Sequence, residues 1–242
     1  MTWAGRRYWL VGASEGLGRA LAHVMSAAGA ELILSGRNED RLRELASELP
    51  DAAHALPFDV TDPAAVRTAA EAAGTIDGIV WLAGAYWPLR AQEWNAEKVT
   101  TMIDTNLTGA AHVLGAVVPE MVGRGAGHIV IVGSLSGFRG LPGAIGYAAS
   151  KAGLMNLAEC LAIDLAGSGV QVQLVNPGFI RTRLTARNDF SMPFLMEPEA
   201  AARHIFGHMN RKRFATSFPR LFSLVFRLGR LLPDALWVRL MR

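Results

Sequence analysis

Hydrophobic and polar positions divide this chain into short, almost wholly apolar segments and longer amphipathic ones. The short segments predict strands buried on both faces at 6–12, 30–36, 53–60, 78–84, 127–134 and 170–178, with a weaker seventh at 212–218. The longer segments predict helices at 16–29, 38–49, 62–73, 94–122, 145–167 and 197–210. Asn38 and either Thr61 or Asp62 suit N-caps, and Pro63 suits a first helical turn. This alternation predicts an α/β fold, a Rossmann-like doubly wound parallel sheet of about seven strands with helices on both faces.

Composition favours one folded domain. The 242 residues are 51% hydrophobic and 19% charged with 25 glycines, a profile of globular chains with buried parallel strands. No internal boundary or repeat interrupts the pattern, so we expect one domain over 1–217 and an extension over 218–242. The apolar run at the start, Tyr8 to Val11, is too short for a signal peptide, which makes the cytoplasm the expected location.

The net charge of +3 is unevenly distributed. Residues 212–242 hold seven Lys and Arg against Asp234 alone, so this end carries +6 and residues 1–211 carry −3. The basic character therefore belongs to a tail, and no nucleic-acid partner is expected.

The single cysteine, Cys160, excludes an internal disulfide, and its apolar helical context predicts a core position. His204 and His208 lie four apart without a third ligand, so no metal site is expected.

A glycine-rich turn follows the first strand in "GASEGLG". Its glycines permit a tight turn and close approach of a diphosphate to a helix N-terminus, with the spacing G-x-x-x-G-x-G. The second strand ends in "SGRN" with no carboxylate for the ribose hydroxyls, and the planar fork of Arg37 suits a 2′-phosphate. The pattern favours NADP(H) over NAD(H), although Glu15 opposes it and Arg37 has the alternative of a solvated surface residue.

A tyrosine and a lysine, Tyr147 and Lys151, lie four residues apart in a predicted helix and so share one face. A lysine ammonium one turn away favours the phenolate and so would lower the tyrosine pKa for proton transfer. The alternative is an ordinary surface pair. Ser134 ends the fifth predicted strand, and Asn106 lies within the long helix predicted at 94–122.

Together these motifs resemble the short-chain dehydrogenase/reductase family over nearly all of residues 5–210. The motifs are "GASEGLG", "FDV" with Asp59, "LAG" (82–84), "NLTG" from Asn106, "GSLSG" with Ser134, "YAASK" and "NPGFIRT" (176–182). Val11 departs from the usual threonine and Leu82 from the usual asparagine, which puts the rigidity of the loop in doubt more than the chemistry. The usual glycine-rich ending of the family is absent.

The resemblance implies interconversion of a ketone and a secondary alcohol with a nicotinamide cofactor. It makes Tyr147 the general acid/base, while Lys151 tunes it and holds the nicotinamide ribose. Ser134 would bond the reacting oxygen, and Asn106 would position a water. The implied cofactor contacts are Gly12, Ser14, Glu15, Gly16, Leu17, Gly18, Arg37, Asn38, Asp59, Val60, Ala83, Gly84, Asn106, Tyr147, Lys151, Pro177, Gly178, Ile180 and Thr182.

Two other functions stay open at this stage, a catalytically silent cofactor sensor and an NAD-dependent alcohol dehydrogenase. Apolar side chains between Phe179 and Met196 suggest an apolar or lipid-like substrate, or a loop packed on itself. Of Trp81, Trp87 and Trp94, one or two are expected in the core. The resemblance also implies a homodimer or homotetramer paired through the long helices.

The tail from about Phe218 is rich in leucine, phenylalanine and arginine, and Pro233 ends its apolar run well short of a membrane span. Arg220, Arg227 and Arg230 would share roughly one side of a helix. Three roles fit this pattern: a helix on the surface of an anionic membrane, a lid over an apolar substrate, or a subunit contact.

Overall fold

Seven parallel strands form one sheet in a computed structural model that describes residues 2–241. Their order is β3-β2-β1-β4-β5-β6-β7, and their bounds are β1 (Arg7–Val11), β2 (Glu31–Ser35), β3 (Ala53–Ala55), β4 (Gly78–Trp81), β5 (Gly127–Val132), β6 (Val170–Pro177) and β7 (Ala215–Phe218). The strand order reverses between β1 and β4, which creates a crevice beyond the carboxyl ends of these strands. The predicted fold class is confirmed.

Helices cover both faces of the sheet. They are α1 (Gly16–Ser26), α2 (Glu39–Glu48), α3 (Pro63–Ala73), α4 (Ala96–Ile103), α5 (Gly109–Arg124), α6 (Ile145–Asp164), α7 (Pro198–Met209), α8 (Arg220–Gly229) and α9 (Asp234–Met241). One buried cluster joins α1, α2 and α7 to the sheet through residues such as Leu21, Leu42 and Ile205. A second joins α3, α5 and α6 through residues such as Val66, Val113 and Leu154. The N-caps are Asn38 and Asp62, as predicted.

Three sequence predictions about local structure are wrong in detail. The strand predicted at 53–60 ends at Ala55, although the backbone N–H groups of Leu56 and Phe58 still donate to the carbonyls of Leu34 and Gly36 beyond it. The helix predicted at 94–122 is divided, since a π-helical segment at Asp104–Thr108 separates α4 from α5. Cys160 is exposed, because α6 buries Leu154, Met155 and Ala158 and turns Cys160 to the opposite side.

The boundary predicted between 217 and 218 falls inside β7, whose last residue is Phe218. Beyond it the tail folds into α8 and α9. Of the three tryptophans, only Trp81 is fully buried, while Trp94 is 58% exposed. Within residues 2–241, no helix combines the length and the apolar character that crossing a bilayer requires.

Candidate active site

A groove of about 510 Å³ opens at the carboxyl ends of the central strands. The first turn of α1, the ends of β2, β4 and β5 and the loop after β6 all contribute to its walls. Among the residues predicted to contact a cofactor, all line this groove except Asn106. Ser134 lines it as well. The sequence motifs, which are scattered over 171 positions from Gly12 to Thr182, are therefore brought together in one cleft.

The glycine turn closes tightly onto the first helix. Gly12 has a φ of +100°, and a Cβ atom built on Gly18 would lie 2.1 Å from the carbonyl oxygen of Gly12, so neither position accepts a side chain without rearrangement. The N-cap residue of α1, Glu15, makes no side-chain capping bond to the helix. The first-turn N–H groups thus keep the free donors and positive dipole end that a diphosphate requires, and the residues present fit a dinucleotide.

Glu15 instead holds two arginines at the rim of the groove. Its carboxylate accepts hydrogen bonds from Nη1 of Arg41 at 2.7 Å and from Nε of Arg183 at 2.9 Å. Neither arginine was predicted from the sequence, although Arg41 lies only four positions beyond Arg37 and that proximity was a usable signal. Both line the groove, together with Arg37 and Asn38. This end is therefore rich in positive charge, partly neutralised by Glu15.

Tyr147 and Lys151 extend from the first turns of α6 towards the groove. Lys151 is only 4% exposed and donates a hydrogen bond from Nζ to the carbonyl oxygen of Val132 at 2.9 Å. That bond attaches the lysine to the end of β5, next to Ser134. The ammonium nitrogen lies 5.8 Å from the centre of the Tyr147 ring. Tyr147 and Lys151 therefore share one face of α6, as their spacing predicted.

The pKa of Tyr147 shifts in the direction opposite to the one expected from the sequence. Burial raises it to about 12, and the neighbouring Ser134 hydroxyl offsets only part of this rise. Burial also lowers the pKa of Lys151 to about 8. The low dielectric around this pair disfavours the charged form of each residue more than the lysine favours the phenolate. In this structure, Tyr147 holds its proton at neutral pH.

Asn106 lies behind the groove and not in its wall. Its amide is completely buried and bonds both backbone groups of Ala85, receiving the N–H at 2.6 Å and donating to the carbonyl at 3.0 Å. It also donates to Oγ of Ser150, which in turn donates to the carbonyl of Tyr147. Asn106 thus ties the segment after β4 to the helix that carries Tyr147, and its side chain does not line the groove.

A second, apolar cavity of about 130 Å³ adjoins the groove. Five residues line both spaces and so stand at the junction: Ser134, Tyr147, Gly178, Leu184 and Thr185. The tail contributes Phe222 and Phe226 to the wall of the apolar cavity. The other lining residues include Tyr86, Leu135, Leu141, Pro142, Phe179 and Phe190.

The tail is held over this cavity by Arg139 and by aromatic packing. The guanidinium of Arg139 donates to the carbonyls of Gly229 and Leu232 and to Oδ1 of Asp234, and it lies over the ring of Trp237 at 5.1 Å. Phe222 packs against Phe179 and Phe194 of the loop after β6, with ring centres 5.9 and 5.5 Å apart. The tail and that loop therefore form one wall of the cavity.

The short chain dehydrogenase family model matches residues 8–191, which contain the whole glycine turn and the Ser134, Tyr147 and Lys151 set. The chain belongs to this family. It is 40% identical over 235 residues to an uncharacterized oxidoreductase of Myxococcus xanthus, covering 94% of this chain and 93% of that protein. It is also 36% identical over 185 residues to an uncharacterized oxidoreductase of Staphylococcus epidermidis, covering 75% and 80%.

The fold comparison agrees. A short-chain dehydrogenase from Streptomyces avermitilis superposes with a TM-score of 0.85 at 27% identity, covering 98% of this chain and 96% of that one. This short-chain dehydrogenase/reductase is therefore an enzyme, an oxidoreductase that uses a nicotinamide dinucleotide and acts on a small molecule. The groove is therefore the candidate site for the cofactor, and the adjoining apolar cavity is the candidate site for the substrate.

Proposed function

We propose that this enzyme interconverts an apolar ketone and a secondary alcohol with NADP(H). The observation that carries the proposal is the position of Ser134 and Tyr147, which line both the dinucleotide groove and the apolar cavity. A carbonyl seated in the cavity would meet both hydroxyls at the boundary with the cofactor. Proximity of this kind is what hydride-coupled proton transfer requires.

A nicotinamide cofactor held in the groove would supply the hydride, while the chain's own residues bind and protonate the carbonyl oxygen. Ser134 donates a hydrogen bond that holds the carbonyl oxygen, and Tyr147 delivers the proton as charge develops there. Lys151, attached to the end of β5 through the Val132 carbonyl, places positive charge beside the phenolate that remains. Asn106 acts through the backbone of Ala85 and is assigned a positioning role.

Tyr147 carries the proton that carbonyl reduction requires. Its pKa of about 12 keeps the phenol protonated near neutral pH, so it starts the cycle as an acid. Lys151, with a pKa of about 8, stays mostly charged under the same conditions. In the oxidative direction the same residue would act as the base and would first have to lose this proton.

Replacing Tyr147 tests the catalytic assignment. Tyr147→Phe should lower kcat for ketone reduction by ~10²–10⁴-fold while the Kd for NADPH changes little, since a proton donor is lost and no cofactor anchor. The matched control is Tyr8→Phe, which removes the hydroxyl of a buried tyrosine that bonds His128 and lines neither the groove nor the apolar cavity. A Tyr147→Phe enzyme with more than half of the original kcat contradicts the assignment.

Preference for NADP(H) is proposed to come from Arg37 at the end of β2. Arg37→Ala should raise KM for NADPH roughly 10- to 100-fold and leave KM for NADH nearly unchanged, because one charge-assisted bond to the 2′-phosphate is worth ~1.5–3 kcal/mol. Arg43→Ala is the matched control, since Arg43 pairs with Glu39 on the outer face of α2. Equal effects on both cofactors would refute this role.

The substrate class, assembly and location are part of the same proposal. The cavity's aromatic and aliphatic walls favour an apolar or lipid-like carbonyl, which turnover of ketones of increasing chain length would test.

We propose a homodimer or homotetramer paired through α5 and α6, whose outer faces expose Val122 and Ile163. Sedimentation equilibrium would test it. The free, exposed Cys160 fits the reducing cytoplasm, and cell fractionation tests that location.

A further inference from the structure

Helix α8 has two apolar faces, and only one of them packs against the enzyme. Phe222, Phe226 and Gly229 point inward, where Phe222 and Phe226 line the apolar cavity. The opposite face carries four apolar side chains at i, i+3, i+4 and i+7, and a fifth follows in the turn after the helix; these five are here termed the tail patch. Their exposed fractions are 76% for Leu221, 44% for Leu224, 54% for Val225, 58% for Leu228 and 80% for Leu231. A contiguous patch of this kind marks an interaction surface.

Arginines border the tail patch. Arg220, Arg227 and Arg230 lie along one flank of α8, and Arg239 lies on α9; all four are exposed. None of the four has an ion-pair partner among residues 2–241. The sole acidic residue between 218 and 241 is Asp234, which is already paired with Arg139. The patch is therefore apolar in its centre and positive at its edge, with no local negative charge to balance it.

We propose that the tail patch docks the enzyme on the surface of an anionic lipid bilayer. Leucines and a valine enter the interface between headgroups and acyl chains while the flanking arginines meet phosphate and carboxylate groups, as in other interfacial amphipathic helices. Charge favours this occupant over a second copy of the chain. An isologous contact places a patch against itself, which would bring two sets of unpaired arginines together.

The docked orientation also places the inner face of α8 between the membrane and the apolar cavity. Phe222 and Phe226 then separate lipid from the space beside Ser134 and Tyr147. A ketone dissolved in the bilayer would reach the cavity by displacement of one helix. Docking itself does not depend on the proposed function, whereas this delivery route rests on it, so the test measures binding without turnover.

The experiment is flotation of the full-length protein with vesicles of phosphatidylcholine alone or with added phosphatidylserine, at low and at raised salt. We expect binding to the anionic vesicles only, and weaker binding as salt rises. Arg227→Gln combined with Arg230→Gln should weaken it about 25-fold, at about fivefold per arginine. The charge-matched control, Arg67→Gln with Arg203→Gln on α3 and α7, should bind like the unmodified protein.

A second variant pair tests the apolar centre. Leu224→Gln with Leu228→Gln should abolish binding, whereas Trp94→Gln, at a residue 58% exposed far along the chain from the tail, should leave it intact. Unaltered melting temperatures show that these surface variants are folded. Equal binding to both vesicle types, no binding to either, or binding that survives the leucine changes overturns the inference. If the leucine changes instead dissociate an oligomer in sedimentation velocity, the patch is a contact between copies and the inference is wrong.

Discussion

The loss of folding stability at acid pH should originate at His128. This buried histidine lies on β5, far from the catalytic groups. Its ring is 3% exposed and joins β1 to β6, with Nδ1 2.9 Å from the Tyr8 hydroxyl and Nε2 2.9 Å from Oε1 of Gln173. The amide nitrogen of Gln173 donates to backbone carbonyls, so its oxygen faces the ring and Nε2 carries the hydrogen. Nδ1 is then the acceptor for Tyr8, and the ring is neutral.

Burial lowers the pKa of His128 from 6.5 to about 4, with Arg6 and His208 adding to the effect and Gln173 opposing it. The unfolded chain therefore binds a proton that the native protein does not, and stability falls as pH falls through this interval. The resulting slope approaches about 1.4 kcal/mol per pH unit. Integrated from about pH 7 to about pH 4.5, the loss attributable to this one ring is about 2.5 kcal/mol.

Urea unfolding across this pH range checks the magnitude. The free energy of unfolding of the unmodified protein should fall more steeply than that of His128→Gln, with the two profiles diverging by about 2.5 kcal/mol. The matched control is His54→Gln on β3, whose side chain is 61% exposed and whose profile should parallel the unmodified protein. Parallel profiles for the unmodified protein and His128→Gln would refute the burial argument, whatever their absolute stabilities.

Two further predictions concern the glycine turn and the tail. Gly18→Ala should weaken NADPH binding by roughly tenfold or more in calorimetry, because a methyl group cannot fit 2.1 Å from the Gly12 carbonyl. Gly115→Ala on α5, where a Cβ meets nothing within 4 Å, should leave binding unchanged. Arg139→Met should release the tail, so that trypsin cleaves it on the order of tenfold faster, since a charge-assisted bond is worth ~1.5–3 kcal/mol. KM for an apolar ketone should rise with it, and an unchanged cleavage rate would contradict the anchoring role.

The fold and most of the groove could be predicted from the sequence because their signals are local. Continuous apolar runs separated by amphipathic segments define buried parallel strands and their crossovers, and parallel topology then brings every strand's carboxyl end to one edge. The turn at Gly12–Gly18, the Tyr147–Lys151 spacing and Ser134 at a strand end therefore converge once the fold is known. Each is a feature of a few consecutive residues.

Burial and long-range pairing depend on tertiary structure, and there the sequence was insufficient. Spacing alone suggested that Lys151 lowers the Tyr147 pKa, whereas the packed site raises it, because desolvation depends on atoms from several elements. The capture of Arg41 and Arg183 by Glu15 joins residues up to 168 positions apart. The hydrogen bonds by which Arg139 holds the tail over the cavity join residues that are 90 or more positions apart. The periodicity of the tail predicts an amphipathic helix, but only the packed structure decides that phenylalanines face the cavity while leucines face outward, since both faces of α8 are apolar.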